Sequence, residues 1–205
     1  MNQAEPDISN AVNHAPGRPR EPEIDQRILD AAFLLMAQQG YVRMSMDAVA
    51  AEAGVTKPTI YRRWSSKIEL AMAALVAYCD ASRPPVVGDT RADLIAEMAH
   101  FRRAIARPYG MSLLGTVLAE EHETPELLAA FREYLVVPRR RALRAVLDAA
   151  RARGELRPDA DVALAVNMLV GAYYAQYLAA APFAEDWSEK LVDAVLAGLQ
   201  RAGCI

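Results

Sequence analysis

Thr56-Lys57-Pro58-Thr59-Ile60-Tyr61-Arg62-Arg63-Trp64-Ser65-Ser66-Lys67 carries four cations and no acid, in a 205-residue chain whose formal net charge is −3. Thr56 is a helix-capping type, and Pro58 falls in the first turn, where a missing N–H costs little. The stretch therefore predicts a short helix running to about Trp64. Its inward side is read as Ile60 with Trp64, which leaves Lys57, Thr59, Arg62 and Arg63 to project. Just upstream, Ser45 caps a second short helix with apolar Met46, Val49, Ala50 and Ala53 at i, i+3, i+4 and i+7, and Gly54 stops it.

Two short helices joined across Ala53-Gly54-Val55-Thr56 have the spacing of a helix-turn-helix, in which the first element braces the second against a DNA major groove. Before them, Ile24, Ile28, Ala31, Ala32 and Leu35 repeat with helical period up to Gly40, so a supporting amphipathic helix precedes the pair. After them, Ser66 and Glu69 form a capping box that opens a helix at about 66–82, closed by Arg83-Pro84-Pro85. The charge is local as well. Residues 18–83 hold nine bases and eight acids, and the rest of the chain fourteen bases and eighteen acids. A locally basic, polar face on an acidic protein suits phosphate contact at one place and rules out coating of nucleic acid or membrane by the whole surface.

The remaining sequence reads as helix throughout. Elements are expected at about 90–106 behind Thr90-x-x-Asp93, at 110–122, at 125–153 with Pro138 as a kink or break, at 159–180, and at 187–202 behind Asp186-x-x-Glu189. No alternating strand pattern appears. Residues 1–22, rich in Pro, Asn, Gln and Glu, predict a disordered arm. Arg18-Pro19-Arg20 within it could reach a minor groove. Cys79 and Cys204 have no CxxC or CxxH neighbour, and there is neither a leader pattern nor an apolar run of roughly 18 residues. A cytoplasmic protein with no membrane association is expected.

Ser45-Met46-Asp47-Ala48-Val49-Ala50, followed by Gly54 through Lys67, resembles the DNA-binding signature of TetR/AcrR-type transcriptional regulators over about residues 24–75. Arg62 departs from the aromatic or small residue sometimes found at its position. The resemblance implies an all-α fold: a three-helix reader over 23–68, then a helical ligand-binding and dimerisation domain over 69–205. It also implies that Lys57, Pro58, Thr59 and Tyr61 face base edges or sugar, that Thr56, Arg63 and Lys67 meet phosphate, and that Ser45 stands at a helix N-terminus beside the backbone. The residue chemistry agrees, since Lys57 can donate to guanine and Pro58 or the Thr59 methyl can touch a thymine methyl. The function implied is repression at a palindromic double-stranded operator, relieved by a small molecule.

Elsewhere the sequence offers less. Phe101, Met111, Leu114, Phe131, Tyr134, Met168 and Tyr174 are the expected lining of a pocket for a mostly apolar effector, because methionine adapts its shape and tyrosine adds an orienting hydroxyl. The last two helices, with small residues Ala165, Gly171, Ala175, Ala194 and Gly198, are the expected homodimer surface. Glu120, Glu121, His122 and Glu123 read as a polar helix end in preference to metal ligands completed by His100. The arginines at 139–141, 144, 151 and 153 read as a solvated face, with an anionic ligand as the sharper alternative. No His, Ser or Cys constellation of an enzyme and no cofactor motif is present. The rival readings are a ligand-independent activator or architectural DNA-binding protein and, behind it, a helical enzyme.

Overall fold

In the computed structural model, residues 21–79 and 84–200 are described, and they form ten α-helices. These are α1 (Glu21–Arg43), α2 (Met46–Ala53), α3 (Lys57–Tyr61), α4 (Lys67–Cys79), α5 (Thr90–Ala106), α6 (Gly110–Ala119), α7 (Pro125–Phe131), α8 (Val137–Ala152), α9 (Val162–Leu178) and α10 (Trp187–Leu199). Among the described residues the only β pairing is an isolated bridge between Leu156 and Gln200. The expected all-α fold is present. Of the expected arm, residues 1–20 with Arg18 and Arg20 lie outside the described residues, as does Cys204, while Glu21 and Pro22 open α1 instead of ending an arm.

Local signals were placed by the sequence to within a few residues, and the departures have physical causes. The first helix breaks at Gly40, whose φ of 81° and ψ of 165° leave the helical region, and one further turn follows to Arg43. The helix after Asp89 is capped by Asp89 itself, which accepts from the Ala92 N–H, and not by Thr90, which turns inward. Pro138 does not break the helix. Its ring cannot tolerate a carbonyl four residues back, and the chain absorbs this in a π turn over Arg132–Val136, where the Val137 N–H reaches the Arg132 carbonyl. Helix therefore runs on from α7 into α8.

Packing divides the helices into two cores that do not follow chain order. The first gathers Ile28, Ala32 and Met36 of α1, Val49 of α2, Ile60 of α3 and Leu70 of α4, and adds Val117 of α6 and Leu127 of α7. The second gathers Leu94 and Met98 of α5, Leu147 of α8, Leu169 and Tyr173 of α9 and Val192 of α10. Thus the buried residues of α4, which falls almost wholly after residue 68 in the sequence, all belong to the first core. One side of the second core is closed by polar contacts. Arg153 and Glu155, beyond the end of α8, pair with each other and with the buried Thr90 hydroxyl at the start of α5.

The Arg153 guanidinium, and after it the Thr90 hydroxyl, hold the Glu155 carboxyl below the usual carboxylate range. A depressed folded-state pKa stabilises the fold above the ordinary value of 4.5 and ceases to do so as pH falls through the folded value. Acid unfolding followed by circular dichroism should accordingly be shallower below pH 4.5 in Glu155→Gln than in the parent chain.

Candidate nucleic-acid interface

The reader is built from short pieces that need outside support. Ser45 caps α2 as expected, its hydroxyl accepting from the Ala48 N–H at 3.1 Å. Gly54 ends α2 in the left-handed region at φ 63°, a conformation that costs other residues about 1–2 kcal/mol. Arg27 of α1 then donates to the carbonyls of both Ala53 and Gly54, placing a cation at the negative end of α2. No local pattern announces this clamp, because its partners lie 26 and 27 residues away.

In α3 only Ile60 is buried, at 0% exposure. Thr56, Lys57, Pro58, Tyr61 and Arg62 are exposed and Thr59 is half-buried, so the expected base-facing side stands open. Thr56 does not cap α3 with its side chain; its hydroxyl meets that of Thr59 at 2.9 Å. Lys57 holds the exposed Asp47 carboxylate at 2.8 Å, and that hydrogen bond raises the ammonium above its ordinary pKa. An exposed pair of this kind is weak enough to open toward a phosphate or a base.

Two residues expected to meet phosphate have partners within the protein. Arg63 is turned inward, its side chain 11% exposed, with the guanidinium ion-paired to Asp25 of α1 and donating to the Thr59 carbonyl. Arg63 lies in the turn just past α3, where Asp25 of α1 and the Thr59 carbonyl hold its guanidinium. Lys67 donates to the Val42 carbonyl at 3.0 Å and sits 4.2 Å from the Tyr41 ring centroid, tying the start of α4 to the end of α1. Burial pushes its ammonium below the ordinary lysine range. The family resemblance implies phosphate contact for both, and neither intramolecular partner is visible in the local sequence.

The candidate pocket residues do not all converge. Leu114, Phe131 and Tyr174 line one small cavity of about 40 Å³ together with Leu75, Tyr78 and Cys79 of α4. Phe101, 1% exposed, lies behind it in the core, 5.8 Å from the Tyr174 ring and 4.4 Å from the Arg139 guanidinium. Met111 packs against the second core. Tyr134 belongs to the π turn, none of whose side chains is buried, and opens onto a neighbouring cavity of about 190 Å³. Met168, 49% exposed, lies outside the buried stripe of α9 and is not among the residues lining the small cavity. Among the described residues no group of three or more His, Cys, Asp or Glu side chains could hold a metal ion, and no helix is long and apolar enough to cross a membrane.

Against known proteins, the family described as "Bacterial regulatory proteins, tetR family" matches residues 28–74, and "Tetracyclin repressor-like, C-terminal domain" matches residues 84–195. The chain belongs to the TetR family. This TetR-family protein is a DNA-binding transcriptional regulator. It is 37% identical over 179 residues to the DNA-binding transcriptional repressor TetR of Mycobacteroides abscessus, covering 86% of this chain and 93% of that one. It is 32% identical over 186 residues to the HTH-type transcriptional regulator Rv1556 of Mycobacterium tuberculosis, covering 89% and 88%. Among solved structures, the TetR family transcription regulator SCO0332 aligns at a TM-score of 0.66 with 31% identity, over 87% of this chain and all of that one. MexZ of Pseudomonas aeruginosa, at 0.66 and 23% identity over 89% and 98%, shares the fold.

The inward turn of Arg63 separates two neighbouring arginines experimentally. Arg63→Ala should lower unfolding stability by about 2 kcal/mol in urea titration, because Asp25 loses a partly buried partner. Arg62→Ala should leave stability within about 0.5 kcal/mol of the parent and instead reduce the salt dependence of DNA binding by about one charge.

Proposed function

We propose that this TetR-family regulator acts as a homodimer that represses transcription from an inverted-repeat operator and is released by a largely apolar small molecule. The observation that carries the reading is the open face of α3, where Lys57, Pro58, Tyr61 and Arg62 are exposed while Ile60 anchors the helix from beneath. In this assignment Lys57, Pro58, Thr59 and Tyr61 address base edges and sugar. Thr56 and Arg62 address phosphate, and Ser45 presents the N-terminal end of α2 to the backbone.

Dimerisation through α9 and α10 is supported by the apolar residues those helices leave uncovered. On α9, Leu164, Met168, Gly171, Ala175 and Leu178 are all exposed and recur at helical spacing. On α10, Leu191 is half-buried and Ala194 and Gly198 are exposed. Ala165, at 1% exposure, is part of the subunit's own core and leaves the expected interface set. Small residues on both helices allow close approach between subunits.

Release works through α4. A cavity of about 40 Å³ holds little more than one water, so an effector must enlarge it. Leu75 and Tyr78 of α4 form part of its wall, and α4 is held at both ends. Its far end is fixed by the Tyr78 hydroxyl donating to the Pro108 carbonyl at 2.8 Å, and by Arg107 donating to the Tyr78 carbonyl at 2.6 Å. Its near end is fixed to α1 by Lys67. Displacement of α4 therefore reaches the reader, and the effector shifts the equilibrium only as far as it prefers the enlarged state.

Selection from random duplex DNA should return an inverted repeat with half-sites about one helical turn, ~34–36 Å, apart. Lys57→Ala should cost ~1–3 kcal/mol on that sequence and little on random DNA, and equal loss on both would remove Lys57 from base contact. A charge at Ala194 or Leu191 should abolish dimer and operator binding together in sedimentation and mobility-shift measurements.

For the effector, a compound that raises the melting temperature should weaken operator binding. Phe131→Ala or Tyr174→Ala should remove both effects while sparing DNA affinity. Thermal stabilisation with unchanged operator affinity would refute induction. Activation of a reporter by the unliganded protein would favour the activator reading.

A further inference from the structure

Four cations lie between Thr56 and Lys67, and the fold engages three of them. Arg63 and Lys67 are held by α1, and Lys57 is held by Asp47 of α2 at 2.8 Å. Arg62 stands exposed without an ion pair among the described residues. The partner of Lys57 differs in kind from the other two. Both side chains are open to water, 44% exposed for Lys57 and 72% for Asp47, so the pair is worth little as a stabiliser. Between Ser45 and Lys67 the other acid is Glu52, five positions further along α2 and therefore about 140° round it. Asp47 is thus a carboxylate that does little for the fold and stands against the first turn of the recognition helix.

Its position makes it selective about what approaches. Asp47 lies in the first turn of α2, two positions after the Ser45 cap, so a negative charge already occupies the positive end of that helix. A DNA phosphate reaching for Lys57 meets this carboxylate, and two like charges about 4 Å apart in water repel enough to cost roughly fivefold in affinity. A guanine edge is neutral. Its O6 and N7 are acceptors that two of the ammonium N–H groups of Lys57 can fill while the third stays on Asp47. Contact with a base therefore keeps the ion pair, whereas contact with a phosphate has to break or oppose it.

We propose that Asp47 is a specificity-determining residue of the reader, which positions the Lys57 ammonium for a base edge and penalises binding to phosphate alone. The proposal rests on the assignment of Lys57 to a base edge made above. Random duplex offers Lys57 phosphates and few correctly placed guanines. The penalty therefore falls mostly on nonspecific complexes, which draw nearly all their affinity from phosphate. Affinity for bulk DNA is held down at the reader itself, where attraction to it is otherwise strongest in an acidic chain.

The test measures binding of the intact protein by fluorescence anisotropy, from about 50 to 200 mM salt, on the duplex returned by selection and on random duplex of the same length. In Asp47→Asn, affinity for random duplex should rise roughly fivefold per reader and its salt slope should steepen by about one ion, while affinity for the selected duplex changes about twofold or less. Asp47→Glu, which keeps a carboxylate within reach of Lys57, should restore the parent's ratio of selected to random affinity. In a Lys57→Ala chain, Asp47→Asn should leave that ratio unchanged. Equal gains on both duplexes, no gain on random duplex, or an undiminished change of ratio in the Lys57→Ala chain would each overturn the proposal. If Lys57→Ala is selective and Asp47→Asn is not, the role of Asp47 alone fails. If Lys57→Ala itself costs both duplexes equally, the base assignment fails and the proposal with it.

Discussion

A five-residue helix cannot hold itself together in water, and α3 is five residues long. Its existence rests on what α1 supplies. Asp25 grips Arg63 beyond the end of α3, Arg27 closes the end of α2 over the turn, and Ile60 is sealed into a core that α1 dominates. Helix, turn and helix are thus three fragments registered by one longer helix. The benefit is a polar outer face with almost no structural duty, free to be specified by a DNA sequence. The cost is that any disturbance of α1 is felt at the reading face.

The same long helix also anchors the lever. Phe33 of α1 stacks on Tyr78 of α4 with ring centroids 3.7 Å apart, and Lys67 ties the opposite end of α4 to Val42. Tyr78 in turn holds the loop between α5 and α6 through Pro108 and Arg107. The recognition element and the loop between α5 and α6 are therefore linked through packed, hydrogen-bonded contacts at both ends of α4. Such a link transmits discrete displacements well, because close-packed interiors do not deform continuously. The π turn after α7 serves the same economy: it admits Pro138 without a break, so α7 and α8 stay one continuous wall of the cavities.

Local patterns carried the sequence reading a long way. Period-3.6 runs, Ser45, Gly54, Thr124-Pro125 and Ser66 with Glu69 each mark a boundary through interactions within about four residues, so their meaning survives without tertiary context. Such reading could not see contacts that depend on distant partners. Arg63 and Lys67 look like cations of a DNA face, and their carboxylate and carbonyl partners lie 38 and 25 residues away. Met168 looks like pocket lining by type, but the phase of α9 turns it outward, and only the packing of Ala165 and Leu169 fixes that phase.

By itself the sequence determined that this chain is helical, that a cationic helix-turn-helix lies near its N-terminus, and that the region beyond is an apolar helical body. Those properties follow from side-chain periodicity, capping chemistry and the local balance of charge, all of which act over a few residues. Only the tertiary structure decided which cations face outward, that α4 joins the reader's core, and that the aromatic residues enclose a small cavity. Direction, partner and enclosed volume are properties of surfaces brought together from far apart in the chain, and no local pattern encodes them.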